Sequence, residues 1–163
     1  MRNLLTKILR TKTEHDYKTV NIYVDKDDKL IFIPTGISKK WHITTDLNDL
    51  SIELIPPYSE IDIESKLLET LKLCYAYEPE DVSYNTVNEK ANASKTYNKK
   101  IKGKKLISLH WTKAEGYEIT PFKKAKVRGY EEIKESSIRL GKTVNEGGLG
   151  NAFNDVIKFS EPY

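Results

Sequence analysis

This chain is poor in the side chains that perform covalent and metal chemistry: of its 163 residues, one is cysteine and three are histidine. The lone Cys74 excludes an intrachain disulfide framework and suits a reducing cytoplasm. It lies in the apolar run LKLCYA, which predicts a buried structural thiol, because a catalytic thiol needs a polar, electropositive setting to ionise. His15, His42 and His110 are scattered, and no CxxC or HExxH spacing occurs. A metal set gathered from distant residues is left open by spacing alone. No apolar stretch approaches the ~20 residues of a membrane-spanning helix. The segment MRNLLTKILR is charged at both ends and has no long apolar centre, so it reads as a short amphipathic segment and not as a signal peptide. The cluster Gly147-Gly148-Leu149-Gly150 matches neither phosphate-binding glycine pattern, and no Lys-Ser or Lys-Thr follows it. Freedom at a helix start and close packing of the first turn explain these glycines better. The expectation is a protein without catalytic residues, metal, cofactor, small-molecule substrate or membrane partner, and not an enzyme.

What is present is a short pattern written twice. Ser51-Ile52-Glu53-Leu54, a Pro-containing connection and the apolar-periodic run ESKLLETLKLCYA form one copy. Ser137-Ile138-Arg139-Leu140, a Gly-rich connection and LGNAFNDVI form the other. Strand-like runs precede both, LIFIP at residues 30–34 and LISLH at residues 106–110. The repetition predicts two related halves sharing one sheet. TVNIYV at residues 19–24, the polar loop DKDDK and LIFIP read as a hairpin, with Pro34-Thr35-Gly36 ending the second strand. The stretch from there to Leu50 reads mostly as loop. Residues 51–55 alternate as a strand stopped by Pro56-Pro57.

Helix-capping groups at Ser59 and Asp62 open a helix whose Ile63, Leu67, Leu71 and Tyr75 share a stripe, and which ends before Pro79. Residues 78–100 are polar and weakly periodic, and read as an exposed connection between the halves. Strands follow within 101–112, 117–122 and 130–140, with 123–129 as a turn or basic edge. Leu149, Ala152, Phe153, Val156 and Ile157 then recur at helical spacing. The composition, 38% apolar and 31% charged, suits one domain over residues 1–163. The fold class is α+β: a twisted, mostly antiparallel sheet with two main packing helices.

The net charge of +3 conceals a division. Residues 1–81 carry 11 Lys/Arg against 15 Asp/Glu, and residues 82–163 carry 16 against 9. Ten acids fall between Asp46 and Asp81, opposed only by Lys66 and Lys72. Glu60, Asp62 and Glu64 sit at the start of the first helix, and Glu78, Glu80 and Asp81 beyond its end. These six are either a solvated helix exterior or a phosphate mimic that occupies the basic cleft of a nuclease and speeds association. The basic runs KKIKGKK (99–105) and KKAKVR (123–128), near Tyr97, Trp111, Tyr117 and Tyr130, are either solvated strand ends or a single-stranded nucleic-acid surface. No RNA-binding signature accompanies them, so nucleic acid is the alternative partner and not the expected one.

The tail SSIRLGKTVNEGGLGNAFNDVI resembles the C-terminal signature of the immunity proteins of bacterial contact-dependent growth inhibition (CDI) systems. A strand ending in I-x-L is followed by a short connection and an L-G-x-A helix start, carried here by Leu149, Gly150 and Ala152. The resemblance implies a cytoplasmic, non-enzymatic protein that binds the toxin domain of a cognate secreted effector, often a nuclease. The sequence pI of about 8.7 departs from the acidic character common among nuclease immunity proteins. Either the toxin contact lies on the local acidic residues Glu60, Asp62, Glu64, Glu78, Glu80 and Asp81, or the toxin is not strongly basic.

Overall fold

The two copies of the pattern become two copies of one structural unit. The computed structural model describes residues 15–80 and 86–163. The amphipathic segment at residues 1–10 and Asp81 lie outside the described residues. In the first half, β1 (Tyr17–Val24) and β2 (Leu30–Ile37) form a hairpin, followed by β3 (Thr44–Asp46), a 3-10 turn at Asn48–Leu50, β4 (Ile52–Leu54) and helix α1 (Glu60–Leu73). Helix α2 (Val87–Ile101) leads into the second half. There, β5 (Lys105–Thr112), β6 (Gly116–Lys124), β7 (Tyr130–Glu132), a 3-10 turn at Lys134–Ser136, β8 (Ile138–Gly141) and helix α3 (Gly148–Val156) repeat the order. The described strands form one curled antiparallel sheet, a half-barrel, in the order β3-β2-β1-β5-β6-β7, with β4 also on β2 and β8 also on β6.

The register makes the halves related by a pseudo-two-fold axis. Val20 of β1 lies opposite Pro34, and Ile107 of β5 lies opposite Pro121, an offset of 87 residues. Across the centre, Val20 faces Leu109 while Ile22 faces Ile107, so exchanging the halves preserves the β1·β5 pairing. The outer strands repeat the detail. The amide of Leu47 donates to the Pro34 carbonyl, and that of Ile133 to the Pro121 carbonyl, each at 2.9 Å. Each proline stands where the outer partner switches from one short strand to the other. A residue without an N–H is tolerated at such a gap. For this reason β2 runs on through Pro34 to Ile37, where the sequence suggested a stop.

Period-two alternation gives the sheet two different faces. Val20, Ile22, Leu30, Phe32, Ile107, Leu109 and Ile119 point to one face, beneath Ile63, Leu67 and Leu71 of α1 and Leu149, Phe153 and Val156 of α3. Of the helical stripes expected from the sequence, Ile63, Leu67 and Leu71 and Leu149, Ala152, Phe153 and Val156 are buried, whereas Tyr75 lies past the end of α1 at φ 60° and Ile157 caps the end of α3, both half-buried. The opposite face holds a smaller apolar cluster at one end only, built from Tyr23, Ile33, Ile101 and Leu106 with Tyr130 and Tyr163 at its edge.

Helix α2 departs from the sequence expectation of an exposed connection over residues 78–100. It is mostly exposed, but it is a helix. The Thr86 hydroxyl accepts from the Glu89 amide at 3.1 Å at its start, and Lys99 and Lys100 lie at its negative end. Ile101, expected to begin a strand, is its last residue and its buried anchor. The segment before Leu50, expected to be mostly loop, contains β3 and the first 3-10 turn.

The glycines at α3 work as expected. Gly147 takes a left-handed conformation (φ 77°) before the helix. A Cβ at Gly150 would lie 2.0 Å from the Glu60 carbonyl oxygen, so glycine alone lets α3 approach α1 this closely. Phe153→Ala should cost about 3–5 kcal/mol and Leu71→Ala about 2–5 kcal/mol, read as lowered melting temperatures by calorimetry. Gly150→Ala should also lower the melting temperature, although alanine is the better helix former, because its methyl group meets backbone.

Candidate protein-binding site

The acidic residues do not gather into one surface. Ser59 caps α1: its hydroxyl accepts from the Asp62 amide at 3.2 Å, and Asp62 accepts from the Ser59 amide at 2.8 Å. The Ser59 backbone bond holds the Asp62 carboxyl below its ordinary range. Glu64 caps the other helix. Its carboxylate accepts from the amides of Gly147 at 2.9 Å and Leu149 at 2.8 Å, filling the positive N-terminus of α3 with a charge from α1. Glu60 accepts from the Asn154 side-chain amide at 3.2 Å. Glu78 and Glu80 are exposed beyond the far end of α1, roughly 20 Å from Glu60 by the rise of a helix this long. Glu60 and Glu64 thus join α1 to α3, Asp62 closes the cap of its own helix, and Glu78 and Glu80 face solvent.

Cys74 is buried, and its thiol donates to the Thr19 carbonyl at 3.3 Å. Burial pushes its pKa up, which suppresses the thiolate. His15 stacks on Tyr75 at 3.6 Å, and His42 is exposed with φ 51°. No group of three His, Cys, Asp or Glu side chains positioned for a metal occurs among the described residues.

The prominent concavity lies on the sheet face opposite α1 and α3. It is a cleft of about 430 Å³ in the second half, with a floor of Thr19, His110, Glu118, Thr120 and Glu132 and a rim of Lys18, Lys134 and Arg139. Its pseudo-symmetric counterpart is a remnant of about 80 Å³ around Tyr23, Ile31, Ile33, Asp46 and Asn48. These five correspond in register to His110, Glu118, Thr120, Glu132 and Lys134. In the first half the hollow is covered by α2, which lays Tyr97, Lys100 and Ile101 over it. Lys100 donates to the Asn48 side chain. Asp46 accepts from Asn21 at 2.8 Å, and Asn21 in turn accepts from Ser108 at 2.6 Å. Burial raises the Asp46 pKa, opposed by Asn21 and by the charge of Lys100.

Electrostatically, the second cleft is a mixed surface. Arg139 meets Glu118 at 3.2 Å, and Lys134 lies 3.9 Å from Glu132. The His110 ring nitrogen Nδ1 lies 3.3 Å from the Thr19 hydroxyl. Burial pushes the His110 pKa down, against the attraction of Glu132 and Glu118. Sequence reasoning placed His110 in packing or on the surface and missed this cleft. The signal was present in the repeat: aligning the halves sets Tyr23 against His110, and Ile31 and Ile33 against Glu118 and Thr120.

The two basic runs converge at the other end of the same face. Arg128 lies 6.0 Å over the Tyr97 ring and Lys124 5.0 Å over Tyr163, while Tyr130 donates to the Lys104 carbonyl at 2.6 Å. Trp111 and Tyr117 do not join them, because they pack against the main core on the helix-covered face.

No family model and no curated protein matches the chain. A solved structure, the protein of unknown function NMB0488 from Neisseria meningitidis, aligns over 90% of this chain and 97% of its own, with 9% identity and a TM-score of 0.61. The likeness establishes the fold. Among the described residues, no helix is long and apolar enough to cross a membrane.

His110 provides a test of the cleft's electrostatics. Its folded pKa lies below that of a free imidazole, about 6.5, so the unfolded chain takes up the proton first as pH falls. Stability should be full above that value and decline on acidification through it. His110→Gln should flatten the slope of unfolding free energy between pH 7 and pH 5.5 in urea titrations.

Proposed function

We propose that this chain is an immunity protein that binds and neutralises the C-terminal toxin domain, a nuclease, of a cognate contact-dependent growth inhibition effector in the cytoplasm. The observation that carries the reading is the open cleft beside its covered twin. One scaffold position is closed by the protein's own helix, and the equivalent one presents His110, Glu118 and Glu132 to an incoming molecule. The I-x-L strand and the L-G-x-A helix start supply the sequence side of the argument. The buried, un-ionised thiol of Cys74 suits a reducing compartment.

Co-expression with the toxin domain encoded immediately upstream should restore growth, and the two purified proteins should form a stable complex. Failure of both would sink the reading. The acidic residues need separate handling. Neutralising Glu60, Asp62 and Glu64 removes caps and should lower the melting temperature without any partner. Glu78→Gln with Glu80→Gln changes charge alone. If these acids steer the toxin, that pair should slow association and flatten its salt dependence, read by stopped-flow mixing.

The convergence of the two basic runs around Tyr97 and Tyr163 favours a second reading, single-stranded nucleic-acid binding. A fluorescent 20-mer oligonucleotide should then bind with an affinity that falls steeply with salt, and Lys99, Lys102, Lys104 and Lys126 changed to Gln should reduce that slope. Salt-independent or absent binding retires this alternative.

A further inference from the structure

We infer that the basic end of the sheet face opposite α1 and α3 holds an acidic surface of the partner protein, with the tip of the β6–β7 loop as an apolar contact at its centre. The inference rests on the toxin-binding reading and names the side of the toxin that is held. Two stretches far apart in sequence build this end. The Arg128 guanidinium lies 6.0 Å over the Tyr97 ring of α2, and the Tyr163 hydroxyl donates to the Asn98 side chain at 3.2 Å. Lys124 covers the Tyr163 ring at 5.0 Å. Lys102 stands one helical turn beyond Asn98, its amide donating to the Asn98 carbonyl at 3.0 Å. Lys99, Lys102, Lys124, Lys126 and Arg128 are all exposed. Among the described residues none of these five meets a carboxylate, whereas Lys29, Lys66, Lys123 and Lys158 each do. Of the acids at this end, Glu131 is taken by Lys123 at 3.3 Å. Glu161, whose amide donates to the Phe122 carbonyl at 3.1 Å, offsets one of the five cations at most.

An excess of cations suits any polyanion, and the side chains among them decide which. Stacking of a nucleic-acid base needs an open ring face. Here Arg128 and Lys124 lie over Tyr97 and Tyr163, and the Tyr130 and Tyr163 rings pack together at 5.4 Å. Val127 is 98% exposed, between Lys126 and Arg128. An apolar side chain at that position gains by burial against the apolar part of a protein surface, and a row of phosphates offers it nothing equivalent. Tyr97 and Arg128 beside it are of the residue types enriched in protein interfaces. The acids expected to attract a basic toxin do not form a rival surface, because Glu60, Asp62 and Glu64 serve the caps and the joint between α1 and α3. Positive charge, an exposed apolar tip and covered rings together fit an acidic protein face.

The test uses the full chain and the toxin domain encoded upstream, with affinity measured by isothermal titration calorimetry at low and high salt. Lys102→Glu with Lys126→Glu, one change in each basic run, should weaken the complex at least tenfold and flatten its salt dependence. Val127→Ser should weaken it several-fold at either salt concentration. Lys72→Glu with Lys142→Glu makes the same change in net charge elsewhere, on α1 and at the far end of β6 from Lys124, and should leave affinity unchanged. If Lys102→Glu lowers the melting temperature of the free protein, Lys126→Glu with Val127→Ser, both confined to the loop, decides the matter. If the parent forms no complex, the toxin-binding reading falls and this inference with it. If the parent binds and the variants of the basic end bind equally well, the reading stands and this inference is overturned. Equal weakening by the control pair also overturns it, since bulk charge then accounts for the effect. Loss of binding to a fluorescent 20-mer oligonucleotide with unchanged toxin affinity overturns it too, and gives this surface to nucleic acid.

Discussion

The antiparallel ladder between β1 and β5 is the contact on which the rest of the molecule depends. It joins the two halves strand to strand over eight residue pairs, from Tyr17 opposite Thr112 to Val24 opposite Lys105. It also fixes which faces are covered. With Val20, Ile22, Ile107 and Leu109 on one side, α1 and α3 must lie side by side there to bury them. Once they do, the space between them is so short that Gly150 and the Glu64 caps follow as requirements. A slip of one residue in this ladder would turn the core of each half to opposite sides.

The parts of the fold legible in the sequence were those that repeat or that carry strong periodicity. Ser51-Ile52-Glu53-Leu54 and Ser137-Ile138-Arg139-Leu140 are β4 and β8, each entered from a 3-10 turn and each leading to a core helix. The stripes through Leu67 and Phe153 were visible because burial on one helix face selects apolar residues every three or four positions. Helix α2 was hidden for the converse reason. Ile101 is its only fully buried side chain, so fourteen of its fifteen residues carry little or no imprint of packing. Short β3 gave no periodicity to read.

The candidate site was less legible than the fold. An acidic segment looks the same in sequence whether its carboxylates face a partner or cap helices, and Asp62 and Glu64 proved to be caps. The cleft is assembled from β1, β5, β6, β7 and β8, so its residues are dispersed over more than a hundred positions. What distinguishes it is a comparison of the molecule with itself. Equivalent positions hold Tyr23, Ile31 and Ile33 where the surface is closed, and His110, Glu118 and Thr120 where it is open. The scaffold is duplicated while its two surfaces have diverged, apolar toward an internal helix and polar toward solvent.

The caps given by Glu64 also set an order of events during synthesis. They bridge positions 83 and 85 residues apart, and the Thr19–His110 contact across the central ladder spans 91. By contrast, each hairpin closes through a loop of a few residues. The first half therefore leaves the ribosome with β1 as a free edge and waits, at ~5–20 residues per second, several seconds for its partner strand. During that interval the alternation of Thr19 and Asn21 with Val20 and Ile22 leaves polar side chains on one face of the unpaired edge, and polar groups on an edge are a common guard against pairing with another nascent chain.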